Sequence, residues 1–246
     1  MMHLKRLGAF LGMSLILASC AGSKKPVIEE PEDMYTKARI LFDEKEYTES
    51  AELFDEVDKQ HPYSLWAPRA QVMAAYAYYK VNKYDEAILT LDRFIQLHPG
   101  NKNTPYAFYL RGLCYFEQIS NIEREQKMSE KALSSFNALV LRYPTSPYRA
   151  DAEKKIELIM DHLAGKEMEV GRYYEARKDY IPAMNRYQTV IKEYPKTMQM
   201  PEAYYRLGVC YYALGINAQA LDMLNKMQKE FPGVVWTKKL ERVLKG

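Results

Sequence analysis

Three cysteines and four histidines are the residues of this chain most suited to nucleophilic, basic or metal-ligating chemistry. His61 and His98 each stand directly before a proline, while His3 and His162 lie far from them, and no pair has metal-ligand spacing. Tyr143, Tyr194 and Phe231 precede prolines in the same way, so the position asks for a flat ring and not for a base. No Ser/His/Asp order, paired-carboxylate site, phosphate-binding glycine loop or dinucleotide fingerprint is visible. No catalytic residue and no metal ligand is assigned, and an enzyme is not expected. Cys20 is different, because its context suits chemistry done to the thiol: it is the one side chain type that can accept a thioether-linked lipid.

That context is an export signal. Lys5 and Arg6 form a basic start, and Leu7 to Ala18 is a 12-residue run without a charge. A spanning helix needs about 20 apolar residues, so the run suits the core of a secretory signal. Leu17-Ala18-Ser19-Cys20 reads as a bacterial lipobox, in which Cys20 receives diacylglycerol, the chain is cut before it, and the new amine is acylated. Three acyl chains, at about 0.8 kcal/mol per buried CH₂, would hold the protein on a membrane where one would not. The absence of Asp at Ala21 fits sorting to the outer membrane. Residues 1–19 are thus expected to be a signal peptide, and 20–33 the lipidated cysteine and a polar, proline-containing tether. The covalent lipid on Cys20 is the only non-protein group expected; there is no other cofactor.

The mature chain would have 227 residues and a formal charge of +1 in place of +3, too balanced for a nucleic-acid partner. With 48% hydrophobic and 27% charged residues it can bury a core. Pro62, Pro99, Pro144, Pro195 and Pro232 each follow an aromatic or His, at intervals of 37, 45, 51 and 37 residues. Aligned on these prolines, small residues recur at Ala38, Ala75, Gly171 and Gly208. Tyr47, Tyr84 and Tyr180 align as well, as do Ser50, Ala87, Ala132, Ala183 and Ala220. A bulky set follows at Phe54, Leu91, Phe136, Tyr187 and Leu224. This is the pattern of antiparallel helix pairs, A and B, whose small residues let the two backbones approach. The fold class expected is all-α, a tetratricopeptide-repeat solenoid of five helix pairs.

Two irregularities divide it. In repeat 3 the small residue is Gly112, displaced by about eight residues, which puts an insertion at 119–126, either a contact site or a solvated loop. Residues 148–178 contain one long apolar periodicity, read as one helix or as two collinear ones meeting near Gly165. The domains expected are therefore 34–147, with repeats 1–3, and 148–246, with the connecting helix and repeats 4–5. Cys114 and Cys210 hold the same A-helix position two repeats apart, too far for a disulfide, and read as small packing residues.

A binding site on such a solenoid is expected on the concave face formed by the A helices. The register places Tyr35, Arg39, Phe42, Arg69, Tyr76, Tyr79, Tyr106 and Tyr109 there. Aromatic rings with basic points suit an extended peptide that is rich in aromatics and ends in a carboxylate or carries acids. The same tyrosines could equally pack between neighbouring A helices. Arg93 has two readings as well, a partner anchor or a bridge to an acid of a neighbouring repeat.

AYAYYK (75–80), LDRFIQLHP (91–99), YLRGLCYF (109–116) and RYPTSPYRADA (142–152) resemble the BamD family, lipoprotein subunits of the outer-membrane β-barrel assembly machinery. The likeness covers essentially the whole mature chain. It implies a lipid-anchored scaffold on the periplasmic face of the outer membrane, working with other lipoproteins of the machinery. It further implies that N-terminal repeats meet unfolded outer-membrane proteins while C-terminal repeats hold the POTRA domains of BamA. Asn185-Arg186 matches a family pair whose arginine is associated with that coupling. Two other roles fit the repeats: a tetratricopeptide lipoprotein of another envelope system, linked to peptidoglycan or Tol–Pal, and a subunit presenting a periplasmic hydrolase.

Overall fold

The computed structural model describes residues 29–119 and 125–245, which form eleven α-helices and no strand. Cys20, the signal peptide and most of the repeat-3 insertion lie outside the described residues. The helices are α1 (Pro31–Asp43), α2 (Tyr47–Gln60), α3 (Ala67–Lys80), α4 (Tyr84–Leu97), α5 (Thr104–Glu117) and α6 (Glu125–Arg142). They continue as α7 (Arg149–Ala176), α8 (Tyr180–Glu193), α9 (Met200–Ala213), α10 (Asn217–Glu230) and α11 (Val235–Lys245). Each odd-numbered helix from α1 to α9 is the A helix of a repeat, and the even-numbered helix after it is B. The five expected pairs form a tetratricopeptide solenoid, and α11 packs on α9 and α10 as a cap.

Local chemistry sets the boundaries. Pro31, Pro68, Pro105 and Pro201 sit in the first turns of α1, α3, α5 and α9, where a missing N–H costs nothing. The helix opened by Pro31 takes in Pro31, Glu32 and Asp33, three residues of the expected tether, whose acids favour a helix start. The tight turns from A to B use one left-handed residue each: Lys45 at φ 69°, Asn82 at 60°, Lys178 at 64° and Gly215 at 75°. Only glycine takes that conformation without strain, and the other three carry it in exposed turns. The turns from B to A are tied by hydroxyls: Thr104 Oγ1 donates to the His98 carbonyl at 2.7 Å, and Thr237 Oγ1 to that of Phe231 at 3.0 Å.

The small residues stand where the register puts them. A Cβ at Gly112 would lie 2.5 Å from the Phe136 ring, and one at Gly171 would lie 2.4 Å from the Tyr187 ring. Phe136 and Tyr187 are fully buried, as are Phe54 and Leu91 at the matching places. Gly112 therefore keeps its role despite the insertion that follows it. Repeat 5 differs: Leu224 is only half-buried, and Leu240 of α11 fills the space against Gly208. Repeat 5 is followed by the single helix α11, and a residue of that helix takes over.

Residues 149–176 form one continuous helix through Gly165. The buried apolar residues fall into two clusters, one from Met34 to Leu163 and one from Ala164 to Leu240, with Tyr194 touching both. Arg93 bridges to an acid of the neighbouring repeat: it donates to Asp58 Oδ2 at 3.2 Å, and Gln71 Nε2 donates to Asp58 Oδ1 at 2.8 Å. His98 lies with its ring 5.3 Å from that of Phe94, as expected of a packing ring. Cys114 and Cys210 are buried and unbridged, and burial pushes both thiols up to about 12.

Candidate binding face

The A helices of repeats 1–3 carry a continuous run of rings. Phe42 of α1 meets Tyr76 of α3 at 5.5 Å between centroids; Tyr76 meets Tyr106 of α5 at 6.4 Å and stacks on Tyr79 at 6.5 Å. Tyr106 continues to Tyr148 at 5.2 Å, just before α7, and Tyr109 stacks on Tyr148 at 5.1 Å. Tyr47 and Tyr84, at the starts of α2 and α4, close onto Phe42 and Tyr79. All the tyrosines of this run are half-buried: one ring face packs between neighbouring helices while part of each stays accessible. The two uses weighed for these residues, packing and lining, thus coexist in the same side chains.

Electrostatics keep the phenols protonated. Burial, then the nearby Glu117 carboxylate, pushes Tyr79 up to about 12. Burial raises Tyr106 above the ordinary phenol range, and burial with a hydrogen bond to Asp151 does the same for Tyr109. Tyr109 donates to Asp151 Oδ2 at 2.6 Å, and that bond, assisted by Lys155, holds the Asp151 carboxyl below its usual range. Such phenols offer ring faces and hydrogen bonds at neutral pH, not acid–base chemistry.

Tyr35, Arg39 and Arg69 sit at the end of the run. Tyr35 lies against Trp66 at 4.8 Å, and the Arg69 guanidinium lies 5.2 Å from the Trp66 ring centre. Burial raises the Tyr35 phenol while Arg39 and then Arg69 pull it back, so both cations are felt at that ring. Tyr35, Arg69, Val72, Met73, Lys102 and Asn103 line an open cavity of about 380 Å³. Neither Arg69 nor Lys102 has a carboxylate partner among the described residues, whereas Arg39 pairs with Asp43 on its own helix at 3.3 Å. Register counting along the A helices missed Lys102, which lies in the α4–α5 turn, and Tyr148, which precedes α7. The signal was present in both cases: Lys102 is the only cation three places after a repeat proline, and Tyr148 ends the PTSPY string.

The corresponding face of repeats 4 and 5 has another character. Arg206 of α9 donates to Glu202 at 2.6 Å and to Glu175 of α7 at 2.9 Å, and Arg172 reaches Glu202 at 3.2 Å. Tyr187 adds a 2.6 Å hydrogen bond to Glu175. These charges satisfy one another and bind α7, α8 and α9 together. Asn185 and Arg186 lie on α8, adjacent but differently engaged. Arg186 pairs with Glu167 of α7 at 3.0 Å, with 44% of its side chain exposed. Asn185 is exposed and, with Gln188, Thr189, Lys192 and Glu193, lines a shallow hollow of about 350 Å³. Among the described residues no group of three or more His, Cys, Asp or Glu could hold a metal ion, and no helix is long and apolar enough to cross a membrane.

Residues 28–227 match the model of the YfiO family, described as outer membrane lipoprotein. An outer membrane protein assembly factor BamD of Caulobacter vibrioides is 41% identical over 225 residues, covering 89% of this chain and 74% of the relative. BamD of Rickettsia prowazekii is 35% identical over 244 residues, 98% of this chain and 97% of the relative. Among solved structures, a tetratricopeptide-repeat protein of Bacteroides fragilis superposes with a TM-score of 0.51 at 16% identity, covering 88% of this chain and 98% of that one. That likeness concerns the fold alone.

Proposed function

The chain belongs to the BamD family of outer membrane protein assembly factors, and from that premise we propose that it is a non-enzymatic scaffold passing unfolded outer-membrane proteins to a BamA-type barrel protein. In this reading Cys20 carries the diacylglycerol and N-acyl chains that hold the protein to the periplasmic face of the outer membrane. Repeats 1–3 form the block that receives substrate, and residues 148–246 form the block that docks POTRA domains through Asn185 and Arg186. Other lipoproteins of the machinery join the same scaffold.

The observation that carries the reading is the ring run ending at the cavity between Tyr35, Arg69 and Lys102. An extended peptide rich in aromatics can lay its rings on Phe42, Tyr76, Tyr79, Tyr106 and Tyr109 and set a carboxylate between two cations. Arg39, already engaged by Asp43, contributes field more than a direct contact. The contrast with repeats 4 and 5 supports the division of labour, because Arg172, Glu175, Glu202 and Arg206 on their A helices satisfy one another.

The test is binding of a synthetic peptide with an aromatic C-terminal residue, in free-acid and amidated forms. The free acid should bind the unaltered chain about tenfold more tightly than the amide, as expected for one charge-assisted contact worth about 1.4 kcal/mol. The double substitution Arg69→Gln/Lys102→Gln should abolish that difference. Equal affinity of the two peptides for the unaltered chain would remove the carboxylate from the proposal. Absence of a POTRA-containing barrel protein among the stoichiometric partners of detergent-extracted complexes would remove the coupling role.

A further inference from the structure

Tyr63 and Leu65 flank Ser64 in the α2–α3 turn with relative exposures of 101% and 89%, the highest among the large apolar side chains described. The turn itself is ordered. Pro62 fixes its start, Ser64 N–H donates to the His61 carbonyl at 3.0 Å, and Ser64 Oγ accepts from the Ala67 N–H at 3.1 Å. Two apolar side chains are therefore held outward by a fixed backbone and not by a loose loop. The other repeats do not repeat this. One place after the repeat proline they have Gly100, Thr145, Lys196 and Gly233, so only the first turn has an aromatic there beside an aliphatic residue two places on.

The same turn also marks where the N-terminal chain leaves the fold. His61 Nε2 lies 2.7 Å from the Glu29 carbonyl oxygen, and Lys37 of α1 forms an ion pair with the Glu29 carboxylate. From Glu29 nine residues lead back to Cys20. At 3.3–3.6 Å per residue this stretch spans at most about 30 Å. A lipid on Cys20 would keep the turn within that distance of the bilayer surface at all times. An amphipathic ring and an aliphatic side chain so held are the residue types that settle at the boundary between headgroups and acyl chains.

We propose that Tyr63 and Leu65 insert into the inner-leaflet interface of the outer membrane, giving the protein a second, orienting contact beside its lipid anchor. One lipid attachment by itself does not set the orientation of the solenoid on the surface. A second contact at the α2–α3 turn fixes which end of the solenoid stands at the membrane. The inference rests on the lipidation of Cys20.

The experiment uses the full-length lipidated chain in vesicles of phosphatidylethanolamine and phosphatidylglycerol. Tyr63→Cys and Leu65→Cys, and Leu141→Cys as an exposed control at 84%, each carry an environment-sensitive fluorophore; Cys114 and Cys210 are buried and do not compete for label. Nitroxide-bearing lipids should quench the labels at 63 and 65 at least about twofold more than the label at 141, as expected for interfacial insertion. Equal quenching at the three positions, with the protein still floating with the vesicles, would overturn the insertion and leave the anchor standing. Shielding of 63 and 65 that needs a purified POTRA-containing partner and is absent in vesicles alone would also overturn it. If the unaltered chain fails to float, as Cys20→Ala should, the anchor falls and the insertion with it.

Discussion

Gly171→Ala tests the close approach that positions α8 on α7. The new Cβ would stand 2.4 Å from Tyr187 Cε1 and 2.9 Å from two further ring atoms. The ring has little freedom to withdraw, since it is fully buried, its hydroxyl donates to Glu175 at 2.6 Å, and Glu175 is held by Arg206 at 2.9 Å. Overpacking of this kind costs about 1–3 kcal/mol. Alanine recovers about 1 kcal/mol over glycine in a helix interior. The expected net loss reaches about 2 kcal/mol, a fall in Tm of about 4–8 °C for a chain of this size. Gly112→Ala is the comparison: its Cβ would be just as close to Phe136, a ring equally buried but with no hydroxyl bond to hold it, so the loss should be no larger. Leucine stands opposite the small residue in repeat 2, as Leu91, so Tyr187→Leu should make room for the added methyl group while Arg206 continues to satisfy Glu175. Urea titrations followed by far-ultraviolet circular dichroism on the two single variants and the double variant should give a coupling of at least about 1 kcal/mol. Because α8 carries Asn185 and Arg186, Gly171→Ala should also reduce recovery of the POTRA-containing partner, and the double variant should restore it. A Gly171→Ala protein as stable as its parent, with no coupling to Tyr187→Leu, would refute the reasoning.

Further outcomes follow from other contacts. Arg186→Glu breaks a half-exposed pair with Glu167, so its stability cost should stay within about 1 kcal/mol, while co-purification of the complex should fall; normal co-purification would take Arg186 off the partner face. Cys114 and Cys210, with thiols raised to about 12, should resist alkylation at pH 8 in the native protein and react once it is unfolded in urea, and rapid native labelling would contradict their burial. Tyr109→Phe removes the main cause of the lowered Asp151 carboxyl, so its titration by carboxyl NMR should move up toward the ordinary carboxylate range. The sign is that of a depressed acid: its stabilisation is full above the unfolded value and is lost as pH falls through the folded one. Tyr79, raised to about 12, works in the opposite sense, contributing below about pH 10 and losing that contribution as pH rises toward 12, so circular dichroism should show weakening over that alkaline range.

Much of the fold was legible because helix pairs repeat. Ala38, Ala75, Gly171 and Gly208 recur at one distance from a proline, and their bulky counterparts recur at another, so a single register orders ten helices. The eleventh was not legible as a cap, since it matches no repeat, and the same register misassigned Leu224 because the cap supplies Leu240 instead. The boundary at Pro31 was missed because proline and acids mark both a tether and a helix start. Of the face, the A-helix rings were visible by periodicity, but Lys102 and Tyr148 were not, since they sit in turns where no helical period applies. Arg93 shows another limit, because its partner Asp58 is 35 positions away and only α3, which packs on both α2 and α4, brings them together.

These turns are also where the repeats are least alike for a physical reason. The small and bulky positions must match from repeat to repeat, or α-helices of neighbouring pairs would not pack at a constant distance. The places one and three after each proline carry no such demand, because their side chains leave the stack. Thermodynamics of the fold therefore leaves Tyr63, Leu65 and Lys102 unexplained, while Gly112 and Gly171 are fully explained by it. An exposed tyrosine and leucine on a rigid turn lower solubility without stabilising the solenoid, and a lysine beside Arg69 adds repulsion without an acid to offset it. A requirement outside the chain accounts for both features at once: a lipid surface near the tether for the first turn, and a carboxylate for the second. Substituting Tyr63 and Leu65 by serine should accordingly leave Tm unchanged or slightly raised, and Lys102→Gln should do the same. A clear loss of stability in either variant would assign these residues to the fold and withdraw the argument for an outside partner.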